Sequence, residues 1–454
     1  MATSRTAPQL HPGLLARLQE ARARTDALFA LLPPNSFYER PVPERHRLIF
    51  YLGHLEAFDW NLLAPALGLT SHDPDFDKLF AFGIDPVDGG LPTDVPEDWP
   101  SIVRVETYNW RVRTQISDAL HHPTARAANV REIADGTLLQ VAIEHRLMHA
   151  ETLAYLLHNL PLDKKLSKTR PLADPRPAPE QRLVKIPAGA ATLGKSRHDS
   201  GDFGWDNEFG VERVDVPEFS IGMYPVTNAE YLKFVQAGGY QTSFYWTPED
   251  WAWLQGEKIS HPHFWSPSSD AGSAAASDDP AAQWDLRLMF GTIPLPPSWP
   301  VFVTHAEASA FARWAGKKLP TEAQWHRAAY GAPDGSERDY PWGASAPSAR
   351  HGNFHHERWD ATAVDAFPAG ASAFGVLDLI GNGWEWTSTP FAPLPGFEAF
   401  SFYPGYSANF FDGKHFVMKG GSPRTDLCML RRTFRNWFQP HYPHVYATFR
   451  CVEE

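Results

Sequence analysis

A proline-rich segment divides the chain into two parts whose hydrophobic patterns differ. From Asp163 to Arg182 the sequence is first basic and then rich in proline, without an apolar period, as expected of a semi-extended linker. Apolar residues recur at helical spacing before this segment, whereas short apolar runs separated by Gly, Pro and Asp follow it. A chain of 454 residues also has room for two domains. We therefore predict one domain over residues 1–165, a linker over 166–182 and a second domain over 183–454.

The first part contains four long stretches with the apolar period of an amphipathic helix. They span residues 10–31, 43–67, 101–120 and 127–160. Four long helices in a domain of this size predict an antiparallel four-helix bundle. The Asp-, Gly- and Pro-rich stretch over 68–100 is too long for a simple connector, and loops of that length are usually functional.

The second part has the pattern of an α+β domain with much irregular structure. Short apolar runs at 183–186, 214–216 and 416–418 predict strands. Two helical stretches lie at 228–237 and 305–315, and the second is followed by a glycine, which is typical of a helix end.

Composition narrows the possible classes of function. There are 41 Lys and Arg residues against 53 Asp and Glu, a net charge of −12, so binding to nucleic acid or to an anionic membrane is disfavoured. No apolar stretch approaches the roughly 18 residues of a membrane span. The two cysteines, Cys428 and Cys451, offer no disulfide framework. We expect a soluble cytoplasmic protein. The run at 266–282 is low in complexity and predicts a surface insertion.

Histidines on two of the predicted helices form a candidate metal site. His145 and His149 are four residues apart and therefore lie on one helical face, a spacing suited to chelating a metal. His54 on the second helix could complete a three-histidine face inside the bundle. Periodicity alone also fits a surface pair of histidines and a hydrogen-bonded core histidine. Three neutral imidazoles with open positions suit zinc, iron or nickel, and Glu151 is either an outer hydrogen-bond acceptor or a solvated charge.

Several segments of the second part together resemble the formylglycine-generating-enzyme-like fold, a C-type-lectin-related α+β domain. They are VKIPAG at 184–189, FGWDNE at 203–208, PVTNAEY at 225–231, KLPTEAQW at 318–325, GNGWEWT at 381–387, and GGS at 420–422 with RN at 435–436. A helical bundle with His54 and the pattern His145-x3-His149-x-Glu151 ahead of such a domain is similar to the ergothioneine sulfoxide synthase family. The resemblance implies a DinB-like four-helix bundle followed by a formylglycine-generating-enzyme-like domain.

The resemblance also implies an Fe(II)- and O2-dependent enzyme that joins a sulfur donor to imidazole C2 of hercynine, the trimethylated betaine of histidine. Tyr403, in the segment Tyr-x-x-Tyr that ends at Tyr406, matches the catalytic proton donor. Asn436 and Trp437 match the pair that contacts the carboxylate and the trimethylammonium group of hercynine. Tyr406 and Phe438 are further expected substrate contacts. The iron ligands implied by the resemblance are His54, His145 and His149.

The sequence departs from that family in three places, of which the first concerns a polar contact near the iron and the other two concern the donor. Met148 replaces a glutamine that is usual between the two helical histidines. Phe438 and Tyr442 replace an aspartate and an arginine that hold γ-glutamylcysteine in one branch. The segment at 77–86 is more similar to the selenoneine synthase branch, whose donor is a selenosugar. We therefore favour carbon–selenium bond formation with a selenosugar, and a sulfoxide synthase that uses cysteine or γ-glutamylcysteine is the alternative.

Other activities remain as competing interpretations. A zinc- or nickel-dependent DinB-type thiol transferase is a second alternative, which strict dependence on O2 would exclude. Formylglycine generation requires closely spaced reactive cysteines, and Cys428 and Cys451 lie far apart in the sequence. A third alternative is a binding module without catalytic activity, and failure to bind any metal would support it.

Overall fold

The computed structural model describes residues 12–81, 91–166, 171–197, 202–268 and 283–454. The chain divides into two compact units, Met1–Lys168 and Thr169–Glu454. The low-complexity run beyond residue 268 and the end of the 77–86 segment lie outside the described residues. Within the described ranges, no helix combines the length and the apolar character that crossing a membrane requires.

Four long helices dominate the first unit. Its helices are α1 (Pro12–Phe29), α2 (Leu48–Leu67), α3 (Pro74–Leu79), α4 (Ile102–His121), α5 (Ala125–Ala128), α6 (Arg131–Ala134) and α7 (Thr137–Asn159). α1 packs against α7, and α2 packs against both α4 and α7. The long helices α1, α2, α4 and α7 correspond to the four stretches with a helical period. Their packed faces form the interior of the bundle.

The fourth helix is shorter than its sequence pattern predicts. Two short helices, α5 and α6, precede α7, and Gly136 before α7 has a φ of 80°. This left-handed conformation interrupts a right-handed helix and is one that glycine adopts without steric cost. Asp135 Oδ1 accepts a hydrogen bond from the Thr137 N–H at 3.0 Å and so satisfies the first backbone N–H of the new helix. The prediction of one continuous helix over 127–160 was therefore wrong in its first part.

Short strands and four helices make up the second unit in the described residues. The strands are β1 (Leu183–Ile186), β2 (Gly189–Leu193), β3 (Glu212–Val216), β4 (Phe219–Gly222), β5 (Trp265–Pro267), β6 (Trp284–Leu288), β7 (Gly291–Pro294), β8 (Trp384–Pro390), β9 (Phe416–Lys419), β10 (Asn436–Phe438), β11 (Ala447–Thr448) and β12 (Val452–Glu453). The helices are α8 (Asn228–Gln236), α9 (Pro248–Gly256), α10 (His305–Trp314) and α11 (Glu322–Tyr330). The predicted strands correspond to β1, β3 and β9, and the predicted helices correspond to α8 and α10.

The strands form small sheets rather than one large one. Their orders are β1-β4-β12, β10-β9-β8-β11, β2-β3 and β5-β6-β7 across the described residues. β8 and β11 run parallel, and the other strand pairs are antiparallel. β10 is the end strand of the four-stranded sheet, with Trp437 opposite Val417 of β9. This placement brings the residues expected to contact hercynine to a sheet edge.

Two of the motifs behind the sequence resemblance hold the core of the second unit together. Trp325 Nε1 donates to Glu385 Oε2 at 2.8 Å, and Arg450 donates to both oxygens of the same carboxylate at 2.6 Å. All three side chains are fully buried. Around them lies an apolar cluster that includes Ile221 and Leu379. A buried carboxylate needs such partners, so we assign Glu385 a role in stabilising the fold rather than in a reaction.

Candidate functional site

Three histidines meet inside the first unit. His54 projects from α2, and His145 and His149 project from α7 one helical turn apart. Each offers a ring nitrogen, and the three nitrogens all lie within 4.8 Å of one another. The side chains are buried, with at most 5% of any residue exposed. The structure thus brings together the three residues that the sequence selected as metal ligands, and they face the interior rather than solvent.

The orientation of His54 is set by its neighbours. Its Nδ1 lies 2.7 Å from the backbone carbonyl oxygen of Phe80. Because a carbonyl oxygen can only accept, we assign the hydrogen to Nδ1, which leaves a lone pair on Nε2. The Phe50 ring stacks on the imidazole with 4.9 Å between centroids. His54 is therefore held in the tautomer that a metal ligand needs.

The other two histidines carry buried nitrogens that hydrogen bonding leaves unsatisfied. Within the described part of the chain, Nδ1 of His145 and Nδ1 of His149 have no hydrogen-bond partner. The Phe58 ring stacks on His145 with 3.4 Å between centroids. Buried polar atoms without partners are uncommon in folded proteins and call for a bound group. A metal ion held by these imidazoles fits such a set of donors.

Burial keeps the three imidazoles uncharged. It lowers the pKa of His54 to about 4, although the hydrogen bond to Phe80 partly opposes it. Burial, followed by the charge of the neighbouring histidines, lowers the pKa of His145 and His149 well below the ordinary value. Neutral imidazole is the form that binds a metal, so these residues need not lose a proton near neutral pH to become ligands.

A buried ion-pair network lies next to the histidines and joins the two helices that carry them. Arg146 donates to Glu56 Oε1 at 2.9 Å and to Asp59 Oδ2 at 2.8 Å, and all three side chains are at most 1% exposed. Burial opposes ionisation of Glu56, but Arg146, Arg113 and Arg22 outweigh it and lower its pKa to about 2. Because Arg146 follows His145 directly, these bonds fix the rotation of α7 against α2. The sequence analysis did not identify this role of Arg146.

In the second unit, three of the predicted residues share an aromatic cluster. Tyr403 and Tyr406 lie 5.6 Å apart between ring centroids, and Tyr406 meets Trp437 edge-on at 5.5 Å. Trp437 also stacks on Phe391 at 4.1 Å with the rings 7° from parallel. Tyr406 stacks on Trp205 at 3.9 Å. Tyr403 and Trp437 are half-buried, which leaves part of each side chain accessible to a ligand.

Polar contacts next to this aromatic cluster hold its rings in place. Ser407 donates to Asp206 and accepts from Asn207 at 2.9 Å, which ties the tyrosine segment to the 203–208 motif. Arg435 binds both oxygens of Glu322 and lies over the Phe391 ring at 5.0 Å. The motifs that carried the sequence resemblance therefore support the aromatic residues from behind.

Asn436 and Phe438 lie on the other side of β10 from Trp437, because side chains alternate along a strand. Asn436 Oδ1 accepts from the Trp437 backbone N–H at 2.9 Å. Phe438 stacks on Tyr442 with 5.2 Å between centroids and 13° between planes. The five predicted residues of this unit thus fall on two faces of one edge strand and the loop beside it.

Comparison with known proteins gives the family. Residues 169–454 match the sulfatase-modifying factor enzyme 1-like domain, and residues 17–153 match the DinB superfamily. The hercynine oxygenase of Mycolicibacterium smegmatis is 36% identical over 324 residues, which cover 70% of this chain and 72% of that protein. The hercynine oxygenase of Mycobacterium tuberculosis is 34% identical over 355 residues, which cover 78% of each. The chain belongs to the hercynine oxygenase family.

A fungal protein is also similar to this chain. Ergothioneine biosynthesis protein 1 of Neurospora crassa is 29% identical over 500 residues, which cover 93% of this chain and 56% of that protein. Membership of the hercynine oxygenase family confirms the resemblance found in the sequence, and the two domain matches confirm the predicted fold class. The selenoneine branch is a narrower assignment, which family membership does not decide.

Proposed function

We propose that this chain is a non-heme Fe(II), O2-dependent enzyme that forms a carbon–chalcogen bond at imidazole C2 of hercynine. The observation that carries the proposal is a buried cluster of three neutral imidazoles in a member of the hercynine oxygenase family. The donor set alone also fits zinc and nickel. The relatives are named hercynine oxygenases, and a reaction with O2 favours a redox-active metal such as iron over zinc, which has no redox chemistry.

His54, His145 and His149 would hold the metal. Three neutral ligands leave a divalent ion its full charge and open positions, which suits the binding and reduction of O2. The rings of Phe50 and Phe58 stack on His54 and His145, and the Phe80 carbonyl keeps the His54 Nε2 lone pair available. The chain's contribution here is a buried and preorganised set of ligands.

Residues of the second unit would bind hercynine and supply a proton. The Trp437 indole suits the trimethylammonium group, and the Asn436 amide suits the carboxylate. The Tyr403 hydroxyl would act as the proton donor, a role that depends on hydrogen-bond reach. Tyr406 supports both rings from the centre of the aromatic cluster.

For the donor, we infer a selenosugar. Phe438 and Tyr442 form a parallel stacked pair where one branch of the family has an aspartate and an arginine. Aromatic faces and neutral hydrogen bonds hold sugars, whereas a dipeptide donor with several charges favours ionic partners. In the reaction the C2–H bond of hercynine and the Se–H bond of the donor break, and a C–Se bond forms. O2 takes up four electrons, so that one of its oxygen atoms ends in water with the two hydrogens and the other ends on the oxidised selenium.

The test is aerobic turnover of the Fe(II)-loaded full chain with hercynine and one donor at a time. A selenosugar, cysteine and γ-glutamylcysteine are offered separately, and products are identified by mass spectrometry. We expect selenium at the imidazole carbon with the selenosugar. A sulfoxide from either thiol instead would make the protein an ergothioneine-type sulfoxide synthase.

Two controls separate this activity from thiol transfer. Removing O2 should stop product formation, and product formed without O2 by zinc- or nickel-loaded protein would indicate a DinB-type transferase. No product from any donor in the presence of iron and O2 would contradict the assignment of hercynine itself.

A further inference from the structure

The segment at 91–100 is tied to the start of α2 through one carboxylate. Asp94 accepts hydrogen bonds from Arg40, from Arg47 Nε at 3.0 Å and from Trp99 Nε1 at 2.7 Å. Arg47 also donates to the backbone oxygen of Asp94 at 2.8 Å and to that of Tyr38 at 2.6 Å. Burial raises the pKa of Asp94, but the bonds from Trp99, Arg40 and Arg47 outweigh it and lower the pKa below the ordinary value. Several bonds therefore meet at Asp94.

The hydrogen bond to Asp94 fixes the position of the Trp99 ring. Its indole nitrogen is bound to the carboxylate, and the apolar part of the ring reaches inward. The ring meets Phe50 edge-on with 6.0 Å between centroids and stacks on Phe80 at 6.1 Å. An indole held at one end in this way presents a fixed apolar surface at the other.

Phe50 and Phe80 both contribute to the orientation of His54. The Phe50 ring covers one face of the imidazole, and the Phe80 carbonyl accepts the hydrogen of Nδ1. Phe80 is fully buried against Gly53, where a Cβ atom would approach its ring to 2.6 Å. The Phe80 ring thus fills a space that only glycine leaves, and Trp99 closes it from the other side.

We propose that Asp94 and Trp99 are positioning residues for His54. Asp94 anchors Trp99, Trp99 holds Phe50 and Phe80, and these hold the imidazole so that Nε2 meets the nitrogens of the other two histidines. The inference rests on the proposed metal centre and deepens it. It also gives a role to part of the 68–100 stretch, which was expected to be functional for its length alone.

Metal affinity and coordination geometry test this role without relying on turnover. The metal-free full chain is titrated with Co2+ without O2, and the visible absorption of bound cobalt reports the coordination. The variants are Asp94→Asn and Trp99→Phe, which retain the shape of each side chain to different degrees. Glu97→Gln removes an exposed carboxylate from the same segment and is the matched control.

We expect Asp94→Asn and Trp99→Phe to bind Co2+ about 10-fold more weakly, the low end for residues behind a metal ligand, with altered absorption. Glu97→Gln should match the unmodified protein. A lower unfolding temperature with unchanged cobalt affinity and absorption would show that Asp94 only stabilises the segment, and would overturn the inference. Should Asp94→Asn fail to fold, Trp99→Phe decides the question, because it removes the hydrogen bond to Asp94 and part of the indole ring but leaves the bonds from Arg40 and Arg47 to Asp94 in place.

The same titration separates this inference from the proposed metal centre. His54→Ala is expected to lose cobalt binding. If the unmodified chain binds no cobalt, or if His54→Ala binds it equally well, the metal centre itself is wrong and this inference falls with it. If His54→Ala loses binding while both test variants match Glu97→Gln, the metal centre stands and only the role of Asp94 and Trp99 is refuted.

Discussion

The three histidines and the aromatic cluster around Trp437 are supported in different ways. The histidines project from two long helices and are nearly inaccessible, whereas Tyr403 lies in a loop and Trp437 on the edge strand β10, both half-buried. The buried ion pairs of Arg146 lie next to the histidines, whereas Trp437 is supported by the stacked ring of Phe391. A buried ion pair has a high cost when broken, while stacked rings tolerate small shifts.

This difference leads to different expectations for mutations. Loss of a histidine should abolish metal binding, and loss of Arg146 should destabilise the bundle, because these buried groups depend on one fixed packing of α7 on α2. Changes in the aromatic cluster should alter rate or affinity in a graded way, because a half-exposed surface on a loop and an edge strand can adjust to its ligand.

The largest effect is expected for His145→Ala. Two imidazoles remain, and an ion held by three protein ligands loses one of them, so both iron content and turnover should fall below detection. Iron is measured by elemental analysis of the purified protein, next to His121→Ala, which removes an exposed histidine of α4. An active, iron-loaded His145→Ala protein would refute the ligand assignment.

The next effect is on stability and concerns Arg146→Met. The substitution removes the buried cation that Glu56 and Asp59 share, while the ion pairs with Arg22 and Arg113 remain. We expect a cost of about 3 kcal/mol, the low end for breaking a buried pair. Urea unfolding of the metal-free chain, followed by far-UV circular dichroism, should show the loss. Arg131→Met is the control, because that side chain is 89% exposed and its pair with Asp135, at 3.9 Å, lies on the surface. Equal unfolding midpoints for the two variants would mean that the buried network does not hold the helices.

The sequence predicts the metal cluster better than what surrounds it. A spacing of four residues places His145 and His149 on one face of any helix, so a local rule suffices. The burial of Arg146 does not follow from such a rule, since arginine is mostly exposed and its partners Glu56 and Asp59 come from a distant helix. Only the packing of α7 on α2 brings them together.

In the second unit, the sequence identified Trp437 and Tyr403 through motif resemblance but not their supports. Phe391 lies in no recognised motif, yet it stacks on Trp437 and is held beneath Arg435. The helix α11 was also missed, because its segment was noted only as a motif, although Thr321 and Gln324 form a capping box at its start. Contacts between distant residues, rather than local patterns, determine this region.

A graded effect on rate is expected for Tyr403→Phe. Loss of a positioned proton donor lowers kcat by about 100-fold, while the ring contact with Tyr406 remains and iron content should not change. Steady-state kinetics with hercynine at saturating donor measures it, and Tyr224→Phe, a tyrosine outside the aromatic cluster, serves as control. An unchanged kcat would remove Tyr403 from the proposed chemistry and leave it as a packing residue.

The smallest effect is expected for Trp437→Phe, and it distinguishes binding from support. Phenylalanine keeps the stack on Phe391 but offers a cation a weaker ring face, a loss of about 1 kcal/mol that corresponds to a roughly five-fold higher KM for hercynine. kcat should stay nearly constant, because the contact is made equally before and during the reaction. Trp110→Phe on α4, where the indole is 66% exposed, is the matched control. A fall in kcat with unchanged KM would instead mean that Trp437 supports Tyr403 through Tyr406, so that the aromatic cluster, like the histidine cluster, requires one fixed arrangement.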